Sequence, residues 1–170
     1  MSGGETRALD GNLEIEVAGR EDIEGIKKVL QGVRQWLASR GSRQWSEPFA
    51  DGWIRGFIDR GEFFVAKVGG EVVGVLRLIW SDVPYWGEME DGQAGYIHTV
   101  AVSREWKGHQ IGRKMIAWAE GRIAENGRRF ARLDCSDTFR HYYEAADYRQ
   151  VGVQRMGDWE AQLMEKEVGG

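Results

Sequence analysis

The residues able to do chemistry in this chain gather in two stretches and on one short apolar run. Between an apolar segment and an amphipathic one lies Trp106-Lys107-Gly108-His109-Gln110-Ile111-Gly112. Glycines at an expected helix start leave several backbone amides free to converge on one anion, and the helix dipole favours negative charge there. Lys107, His109, Arg113 and Lys114 add positive charge at the same place. Such a turn suits a phosphorylated, nucleotide-type ligand. Its spacing matches neither GxGxxG nor GxxxxGK[ST], which sets aside the dinucleotide fingerprint and the phosphate loop. The second stretch, residues 80–94, mixes Trp80, Tyr85 and Trp86 with Asp82, Glu88, Glu90 and Asp91. Aromatic faces beside carboxylates suit a cationic amine, although a solvated loop would carry the same residues. His98 sits in the apolar run Tyr96-Ile97-His98-Thr99-Val100-Ala101-Val102. An imidazole with an unperturbed pKa of about 6.5 can accept a proton at neutral pH, or serve as a structural donor to a carbonyl.

Other reactive types point away from chemistry. Cys135 has nothing near it in sequence to lower its pKa and reads as strand filling. Three scattered histidines and one cysteine show no metal-ligand spacing, so no metal is expected. A lone cysteine also cannot form an internal disulfide. The net charge of −4 argues against general nucleic-acid binding, which rests on neutralising phosphates. No run approaches the roughly 18 apolar residues of a membrane span, and the first residues lack a signal peptide's apolar stretch, so a cytoplasmic protein without a membrane partner is expected. With 170 residues, 42% of them hydrophobic, the chain suffices for one domain with a sizeable core. Its eight tryptophans suggest an aromatic-lined cavity as well as core packing.

These residues need elements to position them. Residues 1–12 are polar and Gly-rich and read as a flexible tail; residues 13–168 form the domain. Leu13, Ile15 and Val17 alternate with glutamates, the period of a half-buried strand. Ile23, Ile26, Leu30, Val33 and Leu37 then recur at helical steps, and a helix ending before Gly41 follows. A second short helix carries Trp53, Ile54, Phe57 and Ile58. Residues 62–68 and 71–80 are two strands joined by Gly69-Gly70, which supply the positive φ of a tight antiparallel hairpin. After the loop at 80–94 come the strand bearing His98, the basic turn, and a helix with Ile111, Met115, Trp118, Ala119 and Ile123 on one face, capped by Asn126-Gly127. A strand at 130–135, a short helix at 138–146 and two closing strands at 148–154 and 159–166 complete a mixed α/β order.

The Lys107–Gly112 turn resembles the acyl-coenzyme A loop of the GNAT superfamily of N-acetyltransferases: Arg or Gln, any two residues, Gly, any residue, Gly or Ala. It departs from that pattern at Lys107 and at Gln110, where the family has glycine. Gln110 therefore implies a helical conformation or a looser loop. The resemblance extends to Tyr96–Val102 as the family's fourth strand, Ala131-Arg132-Leu133-Asp134-Cys135 as its fifth, and Tyr142-Tyr143-Glu144-Ala145-Ala146-Asp147-Tyr148 as the segment written F-Y-x-x-x-G-F. Asp147 stands for the turn glycine.

That resemblance implies a single-domain fold with a mostly antiparallel central sheet, helices on its flanks, and fourth and fifth strands that splay apart. It implies an acetyl-CoA-dependent N-acetyltransferase acting on a primary amine of a small molecule by direct transfer. A catalytically weak sensor of CoA or an amine, and an enzyme using another acyl-CoA, remain the alternatives. Val100, Ala101 and Val102 would pair with the pantetheine arm; Lys107, Gly108, His109, Gln110, Ile111, Gly112 and Arg113 would hold the phosphates. Thr138 or Asp137 would replace the family's CoA-contacting asparagine. Tyr143 would protonate the departing thiolate, with Tyr142 as its substitute. His98 occupies the place of the family's general-base glutamate, with Glu88, Glu90 and Asp91 as alternatives. Trp45, Trp80, Trp86, Glu88 and His98 would border the acceptor. Whether the protein is a homodimer stays open.

Overall fold

The computed structural model describes residues 12–169 apart from positions 43 and 46. The expected tail thus lies outside the described residues, except for Asn12. The chain runs β1 (Leu13–Val17), a 3-10 turn at Arg20–Asp22, α1 (Ile23–Ser39), α2 (Asp51–Asp59), β2 (Phe63–Val68), β3 (Glu71–Ile79), α3 (Val83–Trp86), β4 (Ala94–Val102), α4 (Ile111–Glu125), β5 (Phe130–Cys135), α5 (Arg140–Glu144), β6 (Arg149–Met156) and β7 (Trp159–Glu167). The hydrogen-bonded strand order is β1-β2-β3-β4-β5-β7-β6. The β1–β2, β2–β3, β5–β7 and β6–β7 pairs are antiparallel and β4–β5 is parallel. This is the mixed, mostly antiparallel sheet with flanking helices that the sequence implied. Among the described residues, no helix is long and apolar enough to cross a membrane.

The chain divides into two compact units, one holding the chain up to Arg77 with Thr99–Ile116, the other Leu78–His98 with the chain from Ala117 onward. In the first, the α1 stripe does what its spacing predicts. Ile26 and Leu30 pack with Ile54 and Ile58 of α2 against Phe63, Val65 and Val75, and each such side chain contributes roughly 1.5–3 kcal/mol on burial. Gly69 and Gly70, at φ 57° and 83°, close the β2–β3 hairpin. Gly74 leaves room for the first turns of α4, since a Cβ there would approach Met115 Sδ to 2.7 Å.

In the second unit, Trp86, Ala94, Tyr96 and Leu163 form a core joined by Ile79, Tyr85 and Phe130. The stretch expected as a plain loop contains α3, with Pro84 in its first turn, and then a 3-10 turn at Gly87–Met89. A single helical turn is too short to show a period, whereas Pro pre-sets the φ of a helix start. Arg132 of β5 is buried beneath it. Its guanidinium donates to Glu165 (2.9 Å), both Asp91 carboxylate oxygens (3.1 Å each), the Tyr96 hydroxyl (3.0 Å) and the Met89 carbonyl (3.1 Å). The parallel pairing covers only Ala94↔Phe130, Gly95↔Ala131 and Tyr96↔Arg132, while β5 stays paired with β7 as far as Cys135. Beyond Tyr96 and Arg132 the two strands separate, as the resemblance implied.

Candidate functional site

Two residues past the last β4–β5 pair, the same side of each strand carries His98 and Asp134. His98 Nε2–H donates to Asp82 Oδ2 at 2.8 Å, and Nδ1 lies 3.6 Å from Asp134 Oδ1. An ionised carboxylate can only accept, so the short contact assigns the ring proton to Nε2. The second separation exceeds a hydrogen bond. Tyr85 packs against the ring in a tilted arrangement, 5.6 Å between centroids and 55° between planes. Side-chain exposures of 14% for His98, 6% for Asp82 and 11% for Asp134 make this a nearly enclosed cluster.

Asp82 is held at both backbone ends. Its N–H donates to Glu90 Oε2 at 3.0 Å, and its carbonyl accepts from the Trp86 amide at 2.9 Å where α3 begins. Glu90 also accepts from the Gly92 amide. Burial works against the Glu90 carboxylate, but the Tyr96 hydroxyl, those two amides and Arg132 hold it below the usual range. Asp134 goes the other way. Burial, opposed by His98 and reinforced by the charge of Asp82, pushes its carboxyl up to about 6. Its Oδ1 is buried without a hydrogen-bond partner. The residue after His98, Thr99, has φ 54°. A β-branched residue in that region costs on the order of 1–3 kcal/mol, strain of the kind held at functional sites.

Ligand-type atoms of Asp82, His98 and Asp134 lie within 4.8 Å of one another, a spacing that would admit a small cation. With the short His98–Asp82 contact as a hydrogen bond, the three side chains form a proton-sharing cluster.

Tyr143 sits half-buried on α5, edge-on to Tyr142 at 5.1 Å and to Tyr148 at 6.1 Å. Burial, with Tyr142, Cys135 and Asp134 adding to it, pushes the phenol well above its ordinary range, so it remains protonated. Tyr142 is exposed. The Tyr148 hydroxyl donates to Glu120 at 2.8 Å. Asp147, at φ 71°, takes the conformation of the turn glycine it replaces. Cys135 is buried and burial pushes its thiol up to about 12. Thr138 is exposed in a 3-10 turn at Asp137–Phe139.

In the first unit, buried Trp106 anchors the basic turn while Lys107, Gly108 and Gln110 are exposed. Gly108 has φ 87° and Gln110 φ 57°. Gln110 is thus neither right-handed helical nor loosened, as its identity suggested, but left-handed like the glycine it replaces. Its carbonyl accepts from the Lys114 amide at 3.0 Å as α4 begins. Amides in the first turn of a helix lack an intrahelical acceptor, so those of Ile111 and Gly112 can face an anion. Ala101 is buried, and Val100 and Val102 are half-buried.

The expected acceptor residues fall in both units. Trp45 packs edge-on to Phe49 at 5.5 Å in the first unit, in an aromatic run with Trp53 and Phe57. Trp80 lies where a Cβ on Gly95 would point, the strand face opposite to that of Tyr96 and His98. Trp86 is buried against Tyr96 and Arg132. Glu88 is exposed, and Glu90 and Asp91 are engaged in holding the loop. The sequence reading counted Asp82 only among the loop carboxylates and missed Asp134 and the exposed Trp159, whose ring lies 6.5 Å from Tyr85. A lone carboxylate inside the apolar β5 run was the signal for Asp134, but only the β4–β5 register puts it opposite His98.

Comparison with known proteins agrees with this architecture. Residues 30–148 match the model of the acetyltransferase (GNAT) family. The chain is 34% identical over 161 residues to the uncharacterized N-acetyltransferase YesJ of Bacillus subtilis (strain 168), covering 87% of this chain and 86% of that protein. A GNAT-family acetyltransferase from Listeria monocytogenes superposes with a TM-score of 0.77 at 25% identity, over 91% of this chain and 94% of that one. The PaiA N-acetyltransferase of Thermoplasma acidophilum, solved in complex with coenzyme A, shares the fold with a TM-score of 0.69 at 16% identity, over 92% and 99% of the two chains. The splayed strands, a family match across most of the chain and a relative 34% identical place this protein in the GNAT family of acetyltransferases.

Proposed function

We propose that this protein transfers an acetyl group from acetyl-CoA to a primary amine of a small molecule, by direct attack and in the cytoplasm. The observation that carries this reading is the enclosed cluster of His98 with Asp82 and Asp134, which can receive an amine's proton. An alkyl ammonium with a pKa of about 10.4 costs roughly 4–5 kcal/mol to present as free amine at pH 7, so a proton acceptor matters most for that acceptor type. The amides of the Lys107–Gly112 turn, with Lys107, His109 and Arg113, would bind the pyrophosphate, and backbone groups of Val100, Ala101 and Val102 the pantetheine arm. Thr138 would contribute a hydroxyl to the cofactor. Gln110 takes the left-handed conformation that glycine adopts freely, which supports a turn with its amides gathered as the family pattern requires.

In the reaction the amine nitrogen forms a bond to the thioester carbonyl carbon and the carbon–sulfur bond breaks. The amine gives up two protons in all. One is taken by the cluster before attack and passes to solvent; the other balances the proton Tyr143 donates to the departing thiolate. Tyr143→Phe keeps the ring and removes the donor. Its kcat should fall on the order of 10- to 1000-fold with little change in the KM for acetyl-CoA. Near-normal turnover in that variant would overturn the assignment.

A further inference from the structure

His98 is badly placed to take a proton directly from a substrate. One ring nitrogen is already protonated toward Asp82 at 2.8 Å, the other faces Asp134 at 3.6 Å, and Tyr85 packs tilted against the ring. Nε2 is thereby taken, and what Nδ1 faces is the Asp134 carboxylate. Asp134 is the member of the cluster with capacity to spare: Oδ1 is buried without a hydrogen-bond partner, so an amine would meet the carboxylate through its other oxygen, on the 11% of the side chain that stays exposed. Resting on the transferase reading above, we propose that Asp134 is the catalytic base that takes the amine's proton, and that His98, clamped by Asp82, is the positioning residue that holds and tunes it.

The order of the relay follows from what each group can do. Glu90 and the start of α3 fix Asp82, Asp82 fixes the Nε2–H tautomer, and the unprotonated Nδ1 then faces Asp134. When the ammonium meets ionised Asp134, the N–H bond breaks, its electron pair stays on nitrogen, and the proton bonds to the carboxylate. The carboxylic acid so formed can donate towards Nδ1, which is its acceptor, and later loses the proton to solvent. No other reactant is needed. The titratable groups facing Asp134 are Asp82 from the segment before α3, His98 from β4, the neighbouring Cys135 and Tyr143 from α5. From β7, the residue in register with Asp134 is the uncharged Leu163. Burial keeps Cys135 and Tyr143 protonated through the neutral range, so neither interferes. The carboxyl, held at about 6, is ionised at neutral pH yet far more basic than an ordinary aspartate.

The test is the pH profile of kcat/KM for an alkyl amine in wild type, Asp134→Asn, His98→Gln and Asp82→Asn, beside a carbon-13 NMR titration of the Asp134 carboxyl in the protein without substrate. Wild type should show a rising limb near pH 6, matching the NMR titration. Asp134→Asn should lose that limb and at least about 100-fold in rate. Because His98 lowers Asp134, His98→Gln should keep the limb and move it up; because Asp82 raises Asp134, Asp82→Asn should move it down. A limb that survives in Asp134→Asn and vanishes in His98→Gln would overturn the proposal in favour of His98. An NMR titration near 4 would overturn it without reference to turnover. A wild type that acetylates no amine, whatever the NMR result, would instead bring down the transferase reading.

Discussion

Replacing Asp134 by asparagine should make the protein more stable while depriving it of activity. The carboxyl is raised from 3.8 to about 6, a shift of about two units, because burial disfavours its charged form. At about 1.36 kcal/mol per unit, ionised Asp134 costs up to ~3 kcal/mol of folding free energy. The sign follows from the direction of the shift. With the folded pKa above the unfolded one, the stability linked to this group is fully present below about pH 4 and is lost as pH rises through about 6. The asparagine side chain of the variant cannot ionise, and its amide can donate to His98 Nδ1. Urea unfolding followed by the fluorescence of the eight tryptophans, at pH 7 and at pH 4, reads the effect. Asp134→Asn should gain about 2–3 kcal/mol at pH 7 and close to nothing at pH 4. A variant less stable than wild type at pH 7, or one that gains equally at both pH values, would refute the reasoning.

Arg132→Met should destabilise by about 3–5 kcal/mol, because Glu165, 8% exposed, would keep only Arg149, at 3.5 Å, among the described residues. Adding Glu165→Leu should restore most of that in the same urea assay; a loss under about 1 kcal/mol in the single variant would show the cluster to be dispensable. Gln110→Gly should preserve or improve CoA affinity by calorimetry and stabilise by up to about 1 kcal/mol, since φ 57° favours glycine; a marked loss of affinity would give the Gln110 side chain its own role. Native protein at pH 8 should resist iodoacetamide at Cys135 and keep its turnover, with labelling only after unfolding, because the thiol is buried and pushed up to about 12.

Elements whose cause is local were legible in the sequence. The α1 stripe from Ile23 to Leu37 and the Gly69-Gly70 hairpin each rest on a period or a turn requirement that adjacent residues express. The single turn α3 was not legible, since four residues cannot show a helical period. Thr99, Gln110 and Asp147 adopt positive φ under tertiary constraint, and nothing in a non-glycine residue announces that. His98 stood out by type, but its partners come from separate places in the chain. Asp134 meets it only because Tyr96 pairs with Arg132 in parallel, a register that no sequence period encodes. Asp82 meets it only because Glu90 and the start of α3 hold that segment.

The central claim is tested most directly by incubating the purified protein with acetyl-CoA and a panel of primary amines, and measuring thiol release and acetylated product together. One thiol should appear for each acetyl group found on an amine nitrogen, with alkyl amines losing more than aromatic amines in Asp134→Asn because only the former must be deprotonated. Tight CoA binding with neither thiol release nor acetylated amine across the panel would contradict the claim and leave a binding protein on the same fold.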